Sequence, residues 1–304
     1  MSSSGGRNVR LFLVDGAPTG LITAEIINWT GHLLLAPRSR LPEALRRSEV
    51  DRTGVYFLVG DDPDDPSRQT IYIGEGDCVA DRIKQHAKDD TKDFWEKVCF
   101  VTSKDPNITK AHVRYLETRL IEIARRSGRA SLSNGNNPGA RALPEGDVSD
   151  MEFFIEQLHV VLPVLGLDFL KAPVSRESLS LPPTPGDEAI RSDNPVELEL
   201  NRTGVHAEAV LVNEEIVVFA GSKAATRQHA VNTYSALRER LIADGVLVPS
   251  TDSELQFLRD TTFTSPSAAS SVILNRNDNG RTSWRVKSTG QTLKEWEQAQ
   301  IAAD

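Results

Sequence analysis

One stretch of this chain is a poor substrate for either helix or sheet. Residues 171–195 are rich in Pro, Ser and Asp, with Leu181-Pro182-Pro183-Thr184-Pro185-Gly186 at the centre. Proline removes a backbone donor and fixes φ, so such a run is expected to be an interdomain linker. A length of 304 residues also exceeds a typical single core. The expected organisation is an N-terminal lobe over 1–50, a principal domain over 51–170, a linker over 171–199 and an α+β accessory domain over 200–304.

Charged residues make up 26% of the chain and hydrophobic ones 39%, which predicts a soluble globular protein. No apolar run approaches the length of a membrane span. Leu11-Phe12-Leu13-Val14, after the Ser/Gly-rich start, is too short for a signal-peptide core. Cys78 and Cys99 are the only cysteines and form no Cys-x-x-Cys pair. A disulfide framework and a zinc ribbon are therefore not expected, and the compartment reads as reducing and cytoplasmic. The net charge of −8 argues mildly against a nucleic-acid partner. Residues 82–129, however, hold twelve Lys/Arg against seven Asp/Glu. Such a local excess fits a phosphate-binding face and equally a pair of solvated helix faces.

Apolar and β-branched runs predict strands at 10–14, 32–36, 55–59, 70–73 and 97–102. Helices are expected at 42–49, 79–88 and 111–126, with one or two helical turns at 23–28 and an apolar helical stretch over 151–170 interrupted at Pro163. The acidic connection Asp61-Asp62-Pro63-Asp64-Asp65-Pro66 reads as a turn. Further on, 205–212 and 216–220 resemble a hairpin and 234–243 a helix. Ser265-Pro266 has the form of a helix start, and Asp278-Asn279-Gly280 that of a turn before a strand at 282–286.

Helix 111–126 carries the most informative residue. Val113, Leu116, Leu120 and Ala124 form one apolar stripe, and Glu117 falls inside it while Glu122 lies opposite. A buried carboxylate is costly unless it is paired or binds a metal. Glu117 is therefore a metal-ligand candidate, the competing assignment being a buried ion pair with an arginine. One carboxylate completed by waters and phosphate oxygens suits Mg2+.

Gly54-Val55-Tyr56 followed by Tyr72-Ile73-Gly74 resembles the signature pair of the GIY-YIG nucleases. Arg82 and His86 then follow on one helical face, with Glu117 on the next strong helix and Asn134 after it, in the family's order. The resemblance spans residues 50–140, and the remainder looks like bacterial GIY-YIG proteins that end in an uncharacterised domain. It departs in three places: Val55 replaces isoleucine, the loop between the tyrosines is long and acidic, and Glu75 stands where many members have lysine. Lys84 is the candidate to replace that lysine.

The resemblance implies an α+β fold, a small antiparallel sheet flanked by helices, and a metal-dependent endonuclease using Mg2+ or Mn2+. In it Tyr56 helps activate the attacking water, with Tyr72 as its hydrogen-bond partner. Tyrosine needs a cation or a relay to act as a base at neutral pH, and His86 and Arg82 are placed to supply one. Arg82 holds the scissile phosphate, Glu117 binds the metal, and Asn134, in preference to Asn136, anchors the site. The expected substrate is nucleic acid, DNA ahead of RNA, with no membrane partner, and the C-terminal domain is expected to target substrate or bind a protein. The competing expectation is a non-catalytic nucleic-acid-binding or scaffolding protein on a degenerate nuclease fold. His112, His159, Trp95, Phe94, Phe100 and Trp284 are expected to be structural.

Overall fold

Along one strand, Val55, Phe57 and Val59 face one core while Tyr56 and Leu58 face another, and all are buried. A strand covered on both faces belongs at the centre of a sheet with helices on each side. The computed structural model describes residues 6–62, 65–89, 92–135, 139, 142–172, 176, 195–202, 204–212, 215–227, 232–251 and 254–303. It is an α+β protein dividing into two compact units, Met1–Pro173 and Val174–Asp304.

In the first unit the strands are β1 (Val9–Leu13), β2 (Ile22–Ile26), β3 (Gly31–Pro37), β4 (Gly54–Asp62), β5 (Asp65–Gly76), β6 (Lys97–Ser103) and β7 (Ala130–Leu132). They form one seven-stranded sheet in the order β1-β2-β3-β6-β4-β5-β7. Every pairing is antiparallel except β5 with β7. The short α1 (Leu41–Ala44) and α2 (Val79–His86) pack on the Tyr56 face. On the Phe57 face lie α3 (Lys110–Ser127) and α4 (Glu145–Val164). Thr109 caps α3 by accepting from the His112 backbone N–H, and Gly128 ends it at φ 65°.

The N-terminal residues expected to form a lobe contribute β1–β3 to this same sheet. Residues expected to be helical turns are β2, because Ile22, Ala24 and Ile26 alternate with Thr23 and Glu25 and are sandwiched between two partners. The acidic connection is shorter than expected, with β4 running to Asp62 and β5 starting at Asp65; Pro63 and Asp64 lie outside the described residues. Helix α4 begins earlier than expected, and Pro163 sits in its last turn, so the proline terminates the helix rather than breaking it. Residues 173–175 and 177–194 of the expected linker lie outside the described residues, and its last residues, from Val196, belong to a strand instead, because Leu198 and Leu200 are buried in the second core.

The second unit is built from β8 (Val196–Arg202), β9 (Val205–Val212), β10 (Glu215–Val218), β11 (Lys223–Ala225), α5 (Ser235–Ala243), β12 (Leu247–Thr251), β13 (Glu254–Phe257), β14 (Thr261–Phe263), α6 (Pro266–Leu274), α7 (Gly280–Ser283), β15 (Arg285–Val286) and α8 (Leu293–Ala303). One antiparallel sheet runs β14-β10-β9-β8-β15 and a second β11-β13-β12. Ser265 caps α6 through Ala268 N at 3.1 Å. The strand expected at 282–286 starts with a helical turn, since Gly280 packs its backbone against Pro266 where no side chain fits. Trp284 is fully buried and donates from Nε1 to Pro266 O at 3.1 Å, a core residue.

Candidate active site

The register of β4 against β5 opposes Tyr56 to Gly74 and Leu58 to Tyr72. The two tyrosines are therefore diagonal neighbours on one sheet face, with ring centroids 6.3 Å apart. A Cβ on Gly74 would lie 2.3 Å from the Tyr56 hydroxyl, so the glycine is what lets the phenol lie across β5. Two residues on, a Cβ on Gly76 would lie 2.7 Å from Arg82 Cγ. These glycines thus clear space for one catalytic candidate each.

Helix α2 crosses the same face and delivers His86, which is buried, and Arg82, which is exposed. Tyr56 Oη and His86 Nε2 are 2.7 Å apart, so the phenol's hydrogen-bond partner is His86 from α2 and not, as expected, Tyr72, whose ring lies beside it. The Tyr72 ring stands edge-on to His86, with centroids 5.1 Å apart. Burial, reinforced by Lys92 and Arg82, brings the His86 pKa down to about 4. It is therefore a neutral imidazole at neutral pH, and in the tautomer with its proton on Nδ1 it accepts the Tyr56 hydroxyl. Burial also lifts the Tyr56 pKa well above the ordinary tyrosine value, with Tyr72 and Glu117 adding to the rise and Arg82 opposing it. Alone, Tyr56 stays a phenol at neutral pH and acts as a base only by relay to His86.

Glu117 comes from α3, on the opposite face, and is half-buried. Burial first, and the Glu75 carboxylate second, raise its pKa to about 7, against the pull of Arg82, Lys110 and Arg114. Among the described residues its carboxylate has neither a hydrogen bond nor an ion pair. Its charge registers on Tyr56 through space. Glu75 is engaged by Lys110 at 2.5 Å and Arg114 at 3.7 Å. Glu117 is coupled to Tyr56 and Arg82 by charge, and the far side of β5 pairs with β7 only over Gln69–Ile71.

Asn134 sits beyond that pairing. Its Oδ1 accepts from Ile73 N at 3.0 Å and its Nδ2 donates to Ile73 O at 2.7 Å. The side chain thus continues the ladder and fixes β5 next to Tyr72, which is an anchoring role and leaves its amide committed. Asn136 lies outside the described residues. Lys84, the candidate replacement for the missing lysine, pairs with Asp81 at 3.0 Å on an exposed part of α2. His112 caps α3 and lies 3.3 Å from Asp147. Trp95 and Phe100 are buried and Phe94 packs against them, as core residues.

Two features were not read from the sequence. Lys92 Nζ lies 3.7 Å from the centroid of the Tyr72 ring. The Glu75–Lys110–Arg114 network sets the charge beside Glu117. Both depend on residues far apart in the chain, and no local spacing signals them.

Among known families, the one described as Domain of unknown function (DUF4357) matches residues 198–297, in the second unit. No curated protein and no solved structure matches the chain. Among the described residues no helix is long and apolar enough to cross a membrane.

Proposed function

We propose that the first unit is a GIY-YIG-type endonuclease that hydrolyses nucleic-acid phosphodiesters, DNA foremost, with one divalent metal ion. The observation that carries this is Glu117, a half-buried carboxylate with no protein partner among the described residues and a pKa raised to about 7. A structural carboxylate at such a place is normally paired. The described residues contain no cluster of three or more His, Cys, Asp or Glu side chains able to cage a metal. The donor set instead fits Mg2+ or Mn2+ held by Glu117 and completed by water and substrate phosphate oxygens. When bound, the ion supplies Lewis-acid stabilisation of the leaving oxygen.

The chain's own residues supply the rest. A water beside Tyr56 gives a proton to Oη as the phenol passes its own to His86 Nε2, so the nucleophile forms without a free tyrosinate. Arg82, exposed beside the phenol, binds the scissile phosphate and offsets the charge that builds on it. Asn134 and Gly74 keep β5 and the Tyr56 ring in register. The second unit serves as a targeting or partner-binding module, supported by its separate core and its match to an uncharacterised domain.

The test is incubation of plasmid, linear duplex and single-stranded RNA with the full chain in Mg2+, Mn2+ or EDTA. Metal-dependent cleavage that is lost in Glu117→Ala is the expected result. Binding without cleavage of any substrate would favour the non-catalytic alternative, which the acidic Glu75 and the strongly protonated Tyr56 already support.

A further inference from the structure

Several basic residues of the first unit are spent on carboxylates. Lys84 pairs with Asp81, Lys104 with Glu25, Lys110 with Glu75, Arg119 with Glu152 and Arg38 with Asp93. Lys92 is different: its Nζ rests 3.7 Å from the Tyr72 ring centroid, and no carboxylate pairs with it among the described residues. A cation over a ring is held in place, by about 0.5–1 kcal/mol at an accessible site, while its charge stays uncompensated. Lys92 is also half-buried, so part of its stem is packed and the ammonium is positioned rather than free to swing.

Its position bears on the site. Lys92 lies over the Tyr72 ring that stands edge-on to His86, and with Arg82 it holds the His86 pKa down against the opposing Asp89 carboxylate. Position 75 cannot supply such a charge, because Glu75 is acidic and turned to Lys110 and Arg114 of α3.

We infer that Lys92 is the second phosphate-holding cation of this site, gripping the nucleic-acid strand on the Tyr72 side. This rests on the nuclease reading of the first unit. Its ligand is a backbone phosphate of the bound strand, next to the one held by Arg82.

Binding of a short labelled DNA duplex to the full chain is measured by anisotropy in EDTA across a series of NaCl concentrations. The proteins compared are wild type, Lys92→Gln and Lys92→Arg, with circular dichroism as a check on folding. Lys92→Gln is expected to bind several-fold more weakly at low salt. The slope of log K against log salt should fall by about 1, the loss of one phosphate contact. Lys92→Arg should restore both. Wild-type binding with an unchanged slope in Lys92→Gln, whatever its affinity, overturns the inference and leaves the nuclease reading standing. A wild type that binds neither this duplex nor its single strands at low salt removes that reading and the inference with it.

Discussion

At Glu117, burial and the neighbouring Glu75 keep the carboxyl protonated up to about pH 7. The unfolded chain releases the same proton near 4.5, so between these values the folded state holds more protons. Stability is therefore full below 4.5 and falls as pH rises through 7. Glu117→Gln removes the ionisation, and the variant should melt above wild type at pH 8 and level with it at pH 4. The difference should be on the order of 1 kcal/mol once solvent screening is allowed for. Mg2+ should raise the wild-type melting temperature at pH 8 and leave that of Glu117→Gln unchanged; equal responses would remove the metal-ligand role. Tyr56→Phe takes away the hydroxyl bonded to His86 and should slow single-turnover cleavage by about 100-fold or more, at a stability cost of about 1–3 kcal/mol for the buried His86 nitrogen left unpaired. Near-wild-type cleavage by that variant would exclude the relay through the phenol.

On the scale of single elements, β5 is held on its outer side by a side chain. Asn134→Ala leaves the Ile73 N–H and C=O without their partners, a cost of about 1–3 kcal/mol for groups that stay buried. Faster hydrogen exchange at the Ile73 amide, with β4 and β6 amides unaffected, is the expected sign; unchanged protection would mean that the clamp carries no load. The elements that position the site were largely legible beforehand. The stripe of α3 was plain from Val113, Leu116, Leu120 and Ala124, and so was the oddity of Glu117 within it. Strands β4 and β5 were readable from their β-branched and aromatic runs. What escaped was set by pairing at a distance. Ala24 and Glu25 are good helix formers, and only their place between β1 and β3 makes them strand residues. Nothing local marks Lys92 as the partner of Tyr72, since its turn and that strand meet only after folding.

For the molecule as a whole, the relevant feature is separate apolar interiors. The first unit has cores on the two faces of its sheet, and the second is organised around Leu198, Leu200, Phe257, Val272 and Trp284. Trp284 is the largest buried side chain of that second interior, and Trp284→Ala should cost about 3–5 kcal/mol there. Calorimetry of the full chain should show a transition that this substitution lowers and another, belonging to the first unit, that it leaves in place. A single transition shifted as a whole would mean that the two units unfold cooperatively. If they melt apart, Trp284→Ala at a temperature between the transitions would report what the DUF4357-matching unit contributes to substrate choice, with the first unit still folded.

The clearance at Gly74 and Gly76 has a consequence for descent. Each is room already taken, one by the Tyr56 phenol and the other by the stem of Arg82. Drift at these positions is therefore constrained in pairs: a lineage that gains a side chain at 74 must first give up the ring at 56. Among relatives of this chain, a residue larger than glycine at 74 should mark copies that have lost the phenol, and with it the proposed cutting reaction, even where every other letter of the signature survives.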